Sequence, residues 1–277
     1  MVDESNEEIK KIVREGYSKV ARQGSSCCGP KKSCCSSTNT AEDISKKIGY
    51  NDEDMKSVPD GANLGLGCGN PIALASLKIG QTVLDLGSGA GFDCFLAAKK
   101  VGPSGKVIGV DMTPAMIEKA KKNAQKGNYQ NVEFRLGEIE DLPVDDNSVD
   151  VVISNCVINL VPDKSKAFAQ AYRVLKPGGR LMVSDVVLLK TLPISIRNSV
   201  EAYIGCLSGA MMKDEYLKVI AGAGFKNVKI LNETPFPLDI MANDPTAKAI
   251  LDAPKVSSED LKSVENSVVS IKVSATK

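Results

Sequence analysis

From residue 81 onward the chain alternates short apolar runs with helical stretches, and this alternation limits the possible folds more than any other feature. TVLDLG (82–87) is an apolar run, FDCFLAAKKV (92–101) a helix, KVIGVD (106–111) an apolar run and PAMIEKAKKNA (114–124) a helix. NVEFRL (131–136) and VDVVISN (149–155) are further apolar runs. Strands separated by helical crossovers must lie parallel, with right-handed connections that put helices on both faces of one sheet. GGRLMVSDVVL (178–188) adds a strand after the Lys176-Pro177-Gly178-Gly179 turn. Beyond it, 195–210 and 214–222 read as helices and FKNVKIL (225–231) as a strand. Ahead of the alternation, residues 1–22 form an amphipathic helix with Ile9, Ile12, Val13 and Val20 along one side. Residues 23–40 are a Ser-, Gly- and Cys-rich loop, 41–51 a short helix and 58–71 an irregular segment. The tail after 250, rich in Ser, Lys and Val, is expected to carry little structure, and no internal repeat is present.

The first strand runs into DLGSGAGFD (85–93), where Gly87, Gly89 and Gly91, with Ser88 between them, let the backbone turn tightly and approach a ligand. A G-x-G-x-G loop can seat a pyrophosphate at the following helix N-terminus. Asp85, just before it, would repel phosphate, so a ligand carrying an amine fits better. At the tip of the second strand, Asp111, followed by Met112, is placed for bidentate hydrogen bonds to ribose hydroxyls. The third strand ends in GEIEDLP (137–143), where Gly137, the apolar Ile139 and the carboxylate of Glu140 can flank an adenine ring and its exocyclic amine. The fourth ends in Ser154-Asn155-Cys156; Asn155 and Asn159 either orient the ligand or cap the next helix. Ligands of open parallel sheets bind at the carboxyl ends of the strands, so four such tips in a row point to one nucleoside crevice.

With 35 basic and 34 acidic residues the net charge is +1, which gives no electrostatic case for nucleic acid or an anionic membrane as partner. The N-terminal MVDESNEEIKK lacks the basic and apolar regions of a secretory signal, and no apolar run approaches the ~20 residues of a membrane span, so a cytoplasmic address is expected. In that reducing compartment eight cysteines point to metal, metalloid or redox use rather than to a disulfide framework. SSCCGPKKSCC (25–35) is a poor zinc loop, because its cysteines are adjacent or, as Cys28 and Cys34, enclose five residues instead of standing at C-x2-4-C spacing. Cys94, inside the first crossover helix, reads as a small buried apolar residue. Asp185, Met211 and Met212 either line a substrate cavity or belong to the core.

The series VLDLGSGAGFD, VIGVDMTPAMIEKA, GEIEDLP, DVVISNCVINLVPDK and VLKPGGRLMVSD resembles the class I S-adenosylmethionine-dependent methyltransferases over residues 70 to about 190. GCGNP (67–71), SNCVINL (154–160) and GCLSGA (205–210), with the cysteine-rich N-terminal loop, resemble the arsenite methyltransferase family as far as about residue 245. The resemblance implies an α/β chain: a Rossmann-like class I methyltransferase sheet with helices on both faces and a smaller C-terminal α/β substrate-binding region. It divides the chain into an N-terminal helix and Cys-rich loop (1–50), an S-adenosylmethionine-binding domain (51–190) and an arsenic-binding C-terminal region (191–277). Leu66 stands where some relatives carry a tyrosine, which puts an aromatic contact with the cofactor in question, and the C-terminal substrate-release domain of long relatives reads as reduced.

By the same resemblance, Cys156 and Cys206 hold the arsenic, Cys68 supplies a third thiolate at least for the first methylation, and S-adenosylmethionine is the cofactor. The substrate is arsenite as its conjugate with glutathione or another small thiol. A cysteine of the N-terminal loop pairs with Cys68, and thioredoxin or a small thiol then reduces the disulfide. Cys34 and Cys35 lie nearer the body of the enzyme than Cys27 and Cys28, but the partner stays open. The chemistry is self-consistent: soft thiolates select a soft acceptor, and a lone pair on trivalent arsenic needs no general base, which a chain without histidine can tolerate. Two other readings fit the residues, a small-molecule methyltransferase with structural cysteines and a non-catalytic metalloid-binding protein on the same fold.

Overall fold

The computed structural model describes residues 5–23, 40–194, 206–236 and 267–277. Among these, β1 (Thr82–Leu86), β2 (Lys106–Asp111), β3 (Val132–Leu136), β4 (Val149–Asn155), β5 (Leu175–Leu188), β6 (Lys226–Pro235) and β7 (Val268–Thr276) form one sheet in the order β3-β2-β1-β4-β5-β7-β6. The first five are parallel; β7 runs antiparallel to both neighbours. After β1 the chain builds outward through β2 and β3, then returns to β4 on the other side of β1. The boundary between β1 and β4 is therefore the switch point where an open sheet leaves a crevice.

The central strands read as continuous apolar runs because both of their faces are covered. Val83, Val107, Val151 and Ile153 pack on one face with Cys94 and Phe95 of α5 (Phe92–Val101) and Ile117 and Ala120 of α6 (Pro114–Lys126). That face also takes Val13 of α1 (Asn6–Gln23) and Ile44 of α2 (Thr40–Lys47). Leu84, Leu86, Ile108 and Val152 pack on the other with Phe168 of α7 (Lys164–Val174) and Tyr216 and Ile220 of α8 (Lys213–Gly222). Between α2 and β1 lie two short helices, α3 (Asp52–Lys56) and α4 (Pro71–Leu74), each opened by an asparagine cap, Asn51 and Asn70. No helix of the described residues is long and apolar enough to cross a membrane.

The expectation of a weakly structured tail is corrected at its end. Residues 268–276 form β7, inserted between β5 and β6, with Val268, Ile271, Val273 and Ala275 at most 1% exposed. The alternation in VVSIKVSAT is a two-residue period, which the high Ser and Lys content of the preceding stretch obscures. Pairing a strand on both edges and burying one of its faces along its whole length makes its apolar side chains costly to truncate. Ile271→Ala is expected to lower the free energy of unfolding by about 2–5 kcal/mol, read from the shift of a urea transition. A loss below about 0.5 kcal/mol, the size usual at surface positions, would mean that β7 is not part of the cooperative core. The helix expected at 195–210 falls mostly outside the described residues; those expected over 1–22, 41–51 and 214–222 and the strand at 225–231 are present.

Candidate active site

The glycine loop leaves β1 with the N–H groups of Gly87 and Ser88 both donating to the Val110 carbonyl of β2, at 2.8 and 3.0 Å. Gly87 has φ +67°, and a Cβ there would lie 2.2 Å from Val157 Cγ2, so the turn between β1 and β4 has no room for a side chain. Asp111, at the tip of β2, accepts from Gly89 N (3.0 Å) and Thr113 N (2.8 Å), which ties the loop to the second strand. Burial raises its carboxyl above the usual range, partly offset by those two N–H donors. Asp85 is buried one strand residue before the loop; burial and the nearby Asp93 push its carboxyl well up, against the thiol of Cys94, which donates to it at 3.2 Å. Cys94 is as buried as its apolar neighbours, but it is a polar partner of Asp85 and not merely core.

A second network fixes the segment before β1. The Tyr50 hydroxyl donates to Asp93 Oδ1 at 2.6 Å. The Asn155 amide, at the tip of β4, donates to Gly69 O (2.8 Å), the Tyr50 hydroxyl (2.9 Å) and Asp93 Oδ2 (3.1 Å), while its Oδ1 accepts from Cys68 N at 3.1 Å. Asn155 thus clasps the Gly67-Cys68-Gly69 turn against the sheet instead of capping a helix. From the far side, Ser270 of β7 donates to the Cys68 carbonyl at 2.7 Å.

This clasp brings the cysteines together. Cys68, Cys156 and Cys206 are each at most 8% exposed. The Cys206 thiol donates to the Cys156 carbonyl at 2.9 Å, and Cys68 Sγ lies 3.9 Å from Ser184 Oγ. The adjoining Cys206 and Cys68 thiols, with burial, push the Cys156 thiol well above its usual range. Cys156 (φ +58°) and Cys206 (φ +63°) both sit in the left-handed region. That backbone costs a non-glycine residue roughly 1–2 kcal/mol, and strain of this kind persists where the surroundings impose it, often at functional sites. Burying a small apolar residue requires no such conformation.

The crevice between these elements is lined by Asp85, Gly87, Ser88, Gly89, Asp111, Met112, Ile139, Glu140, Asn155, Cys156 and Cys206. Of the predicted set, Gly91 and Gly137 do not line it: Gly91 packs against Phe95 and Phe134, and Gly137 against Pro143. Cys68 lies just behind the wall. Asn159 neither caps nor faces the crevice but donates to Asp185 Oδ1 (2.9 Å) and Val186 O (2.7 Å). Cys27, Cys28, Cys34 and Cys35 lie outside the described residues. Residue-by-residue reading missed Tyr50, Asp93, Ser184 and Ser270, and also α1. Lys10 Nζ stands 2.7 Å from Glu138 and 2.6 Å from Glu140, and Lys10, Val13 and Tyr17 close one side of the crevice.

The lining suits a nucleoside bearing an amine. Asp85 and Asp93 are buried carboxyls whose hydrogen-bond partners are a thiol, a phenol and an amide, with no cation among them. Ser88 lines the crevice, and its buried Oγ lacks a hydrogen-bond partner. Burial raises the Asp93 carboxyl to about 6, even with hydrogen bonds from Tyr50 and Asn155 pulling it down. The unfolded chain releases this proton near pH 4, so the folded state holds it between about 4 and 6 and stability falls as pH rises through that window. Asp93→Asn is expected to flatten this fall, measured as the urea midpoint at pH 4.5 and 6.5. An unchanged slope would assign the window to other groups.

These strand tips, a glycine loop, an acid at the second tip and a crevice at the switch point, define a class I methyltransferase domain, and the methyltransferase-domain family matches residues 77–224. Over 237 residues the chain is 51% identical to an arsenite methyltransferase of Halobacterium salinarum, which covers 83% of this chain and 60% of the relative. The human arsenite methyltransferase is 43% identical over 152 residues, 52% of this chain and 40% of its own length. The crystal structure of an arsenic(III) S-adenosylmethionine methyltransferase from Chlamydomonas reinhardtii superposes with TM-score 0.64 at 33% identity, over 86% of this chain and 73% of that one. The chain belongs to the arsenite methyltransferase family. It spans less than two thirds of the Halobacterium and human relatives' lengths.

Proposed function

We propose that this chain transfers methyl groups from S-adenosylmethionine to thiol-bound trivalent arsenic. The observation that carries the reading is the meeting of Cys68, Cys156 and Cys206 beside the glycine loop, two of them on left-handed backbone. Soft thiolates select thiophilic arsenic. Bound S-adenosylmethionine supplies an activated methyl on a sulfonium.

The residues divide the work. Asp111 would accept hydrogen bonds from the ribose hydroxyls, and Asp85 would take the amine in place of the cation it lacks. Ser88 would gain a partner, and Ile139 with Glu140 would border the adenine. Cys156 and Cys206, with Cys68, would hold arsenic as a trigonal pyramid. The arsenic lone pair is then the nucleophile and no side chain has to remove a proton from it. The protein's task is alignment, which the crevice performs by holding acceptor and donor in one geometry. Each methylation formally oxidises arsenic by two electrons. Two thiols, Cys68 and one cysteine of the N-terminal loop, would return those electrons by closing a disulfide, which thioredoxin or a small thiol reopens. A reducing, cytoplasmic setting follows from that step, with arsenite arriving as its glutathione or other small-thiol conjugate.

The test is mass spectrometry of arsenic species after mixing the purified chain with S-adenosylmethionine, arsenite and a thiol reductant. Mono- and dimethylated arsenic are expected. Cofactor binding without any methylated arsenic would reassign the acceptor to another small molecule.

A further inference from the structure

Arsenic(III) bound by three thiolates has no use for a carboxylate, yet one is built into the thiol site. Cys68 Sγ, Cys156 Sγ and a carboxylate oxygen of Asp185 lie within 4.8 Å of one another, and all three residues are buried. Asp185 is 1% exposed, at the carboxyl end of β5. Its Oδ2 accepts from the Tyr216 hydroxyl at 2.9 Å, and its Oδ1 accepts from Asn159 Nδ2 at 2.9 Å and Val186 N at 3.1 Å. Such outer donors are what fixes the direction of a metal-binding carboxylate. They come from α8, from the turn after β4 and from β5 itself, so three elements agree on the orientation of one side chain.

We propose that Cys68, Cys156 and Asp185 form a site for a soft divalent cation, zinc above all, that shares two thiols with the arsenic set but replaces Cys206 by the carboxylate. Zinc takes thiolate and carboxylate ligands tetrahedrally, commonly three from the protein with the fourth position open. With metal–sulfur bonds of about 2.3 Å and metal–oxygen bonds of about 2.1 Å, the donor atoms need to approach to roughly 3.5–3.8 Å. Side-chain rotation of about 1 Å from the observed spacing covers the difference. Binding expels the two thiol protons to solvent as the thiolates form. A cation there occupies Cys68 and Cys156 and so competes with arsenic; this competition alone rests on the proposed function. Trivalent arsenic and the cation are told apart by the ligands they do not share, Cys206 for one and Asp185 for the other.

The experiment uses the full chain with Cys27, Cys28, Cys34 and Cys35 changed to Ser, so that the second thiol cluster takes no metal. Cobalt(II) is the spectroscopic probe and zinc the affinity probe, by competition with a chromophoric chelator. The parent is expected to give sulfur-to-cobalt charge transfer in the near ultraviolet and strong tetrahedral bands in the visible. Asp185→Asn should weaken zinc at least about tenfold, the lower end of what losing even an outer partner costs. Asp185→Cys should regain it, and Cys206→Ser should leave it unchanged. S-adenosylmethionine binding by each variant reports that the fold survives. Absence of the charge-transfer band, zinc bound equally tightly by Asp185→Asn, or a loss in Cys206→Ser matching that in Cys68→Ser overturns the proposal. Arsenite methylation is measured alongside on the chain with all its cysteines. Methylation without cation binding rejects this site alone, and cation binding without methylation rejects the proposed function alone.

Discussion

Cys156→Ser is expected to abolish arsenite methylation, by about 100-fold or more, while leaving S-adenosylmethionine affinity nearly unchanged. The substitution keeps the side chain's size and the left-handed backbone at φ +58°. The Cys156 carbonyl that accepts from the Cys206 thiol is also kept. What changes is one soft sulfur into a hard oxygen that does not hold arsenic. A loss of 100-fold corresponds to about 2.7 kcal/mol of activation free energy, and misplacing a reacting atom by about 1 Å is enough to cause it. Only a small packing volume is removed, and whether its loss matters is read from a second variant. Cys94→Ser is the matched control: it also removes a buried thiol near the crevice, but one whose partner is Asp85. Turnover is assayed by arsenic speciation and affinity by equilibrium binding. Retained arsenite turnover in Cys156→Ser would take the acceptor away from this thiol. Equal loss in Cys94→Ser would mean that any disturbance of the core has the same effect.

How far the sequence disclosed this site depends on the range of the interactions involved. The glycine loop, Asp111 and the strands up to β5 were legible because each rests on local periodicity or on a short motif at a strand end, whereas the order of the strands in the sheet does not. The clasp was not. Tyr50 meets Asp93 across 43 residues, Asn155 meets Tyr50 across 105, and Ser270 meets Cys68 across 202. No window of a dozen residues holds both partners of any of these bonds. Asn155 stood in the candidate set for other roles, as a cofactor or capping residue, since an asparagine at a strand end serves either. Lys10 illustrates the same limit: as one of several charges on an amphipathic helix it carries no mark of its ion pairs with Glu138 and Glu140. The burial of Cys94 was read correctly, but a thiol's weak hydrogen bond is invisible without its acceptor. β7 was legible in principle, from the alternation of Val269, Ile271, Val273 and Ala275.

Gly69→Ala is expected to cut arsenite methylation by roughly tenfold, less than the about 100-fold of a reacting group displaced by a full 1 Å, with cofactor affinity largely kept. A Cβ at residue 69 would fall 1.9 Å from Ser184 Oγ, 3.0 Å from Ser184 Cβ and 3.1 Å from Lys272 Cε. Rotating the serine hydroxyl removes the first contact but not the second, and Ser184 is fully buried in the middle of the sheet. With Lys272 Cε also in the way, the 67–69 turn has to shift from β5 by a few tenths of an ångström. That shift strains the Asn155 bonds to Gly69 O and Cys68 N and moves the Cys68 thiol relative to the other two. The acids proposed to meet the cofactor, Asp85 and Asp111, sit on β1 and β2 and not on this turn, so the predicted loss is in turnover more than in affinity. Ser184→Gly in the same chain removes the obstructing Cβ, and the double variant should recover activity lost by the single one. Recovery would establish that the position of Cys68, held by the clasp, is what the glycine protects. Unimpaired turnover in Gly69→Ala would show that the third thiol need not be where the clasp holds it, and would leave Cys156 and Cys206 as the working pair.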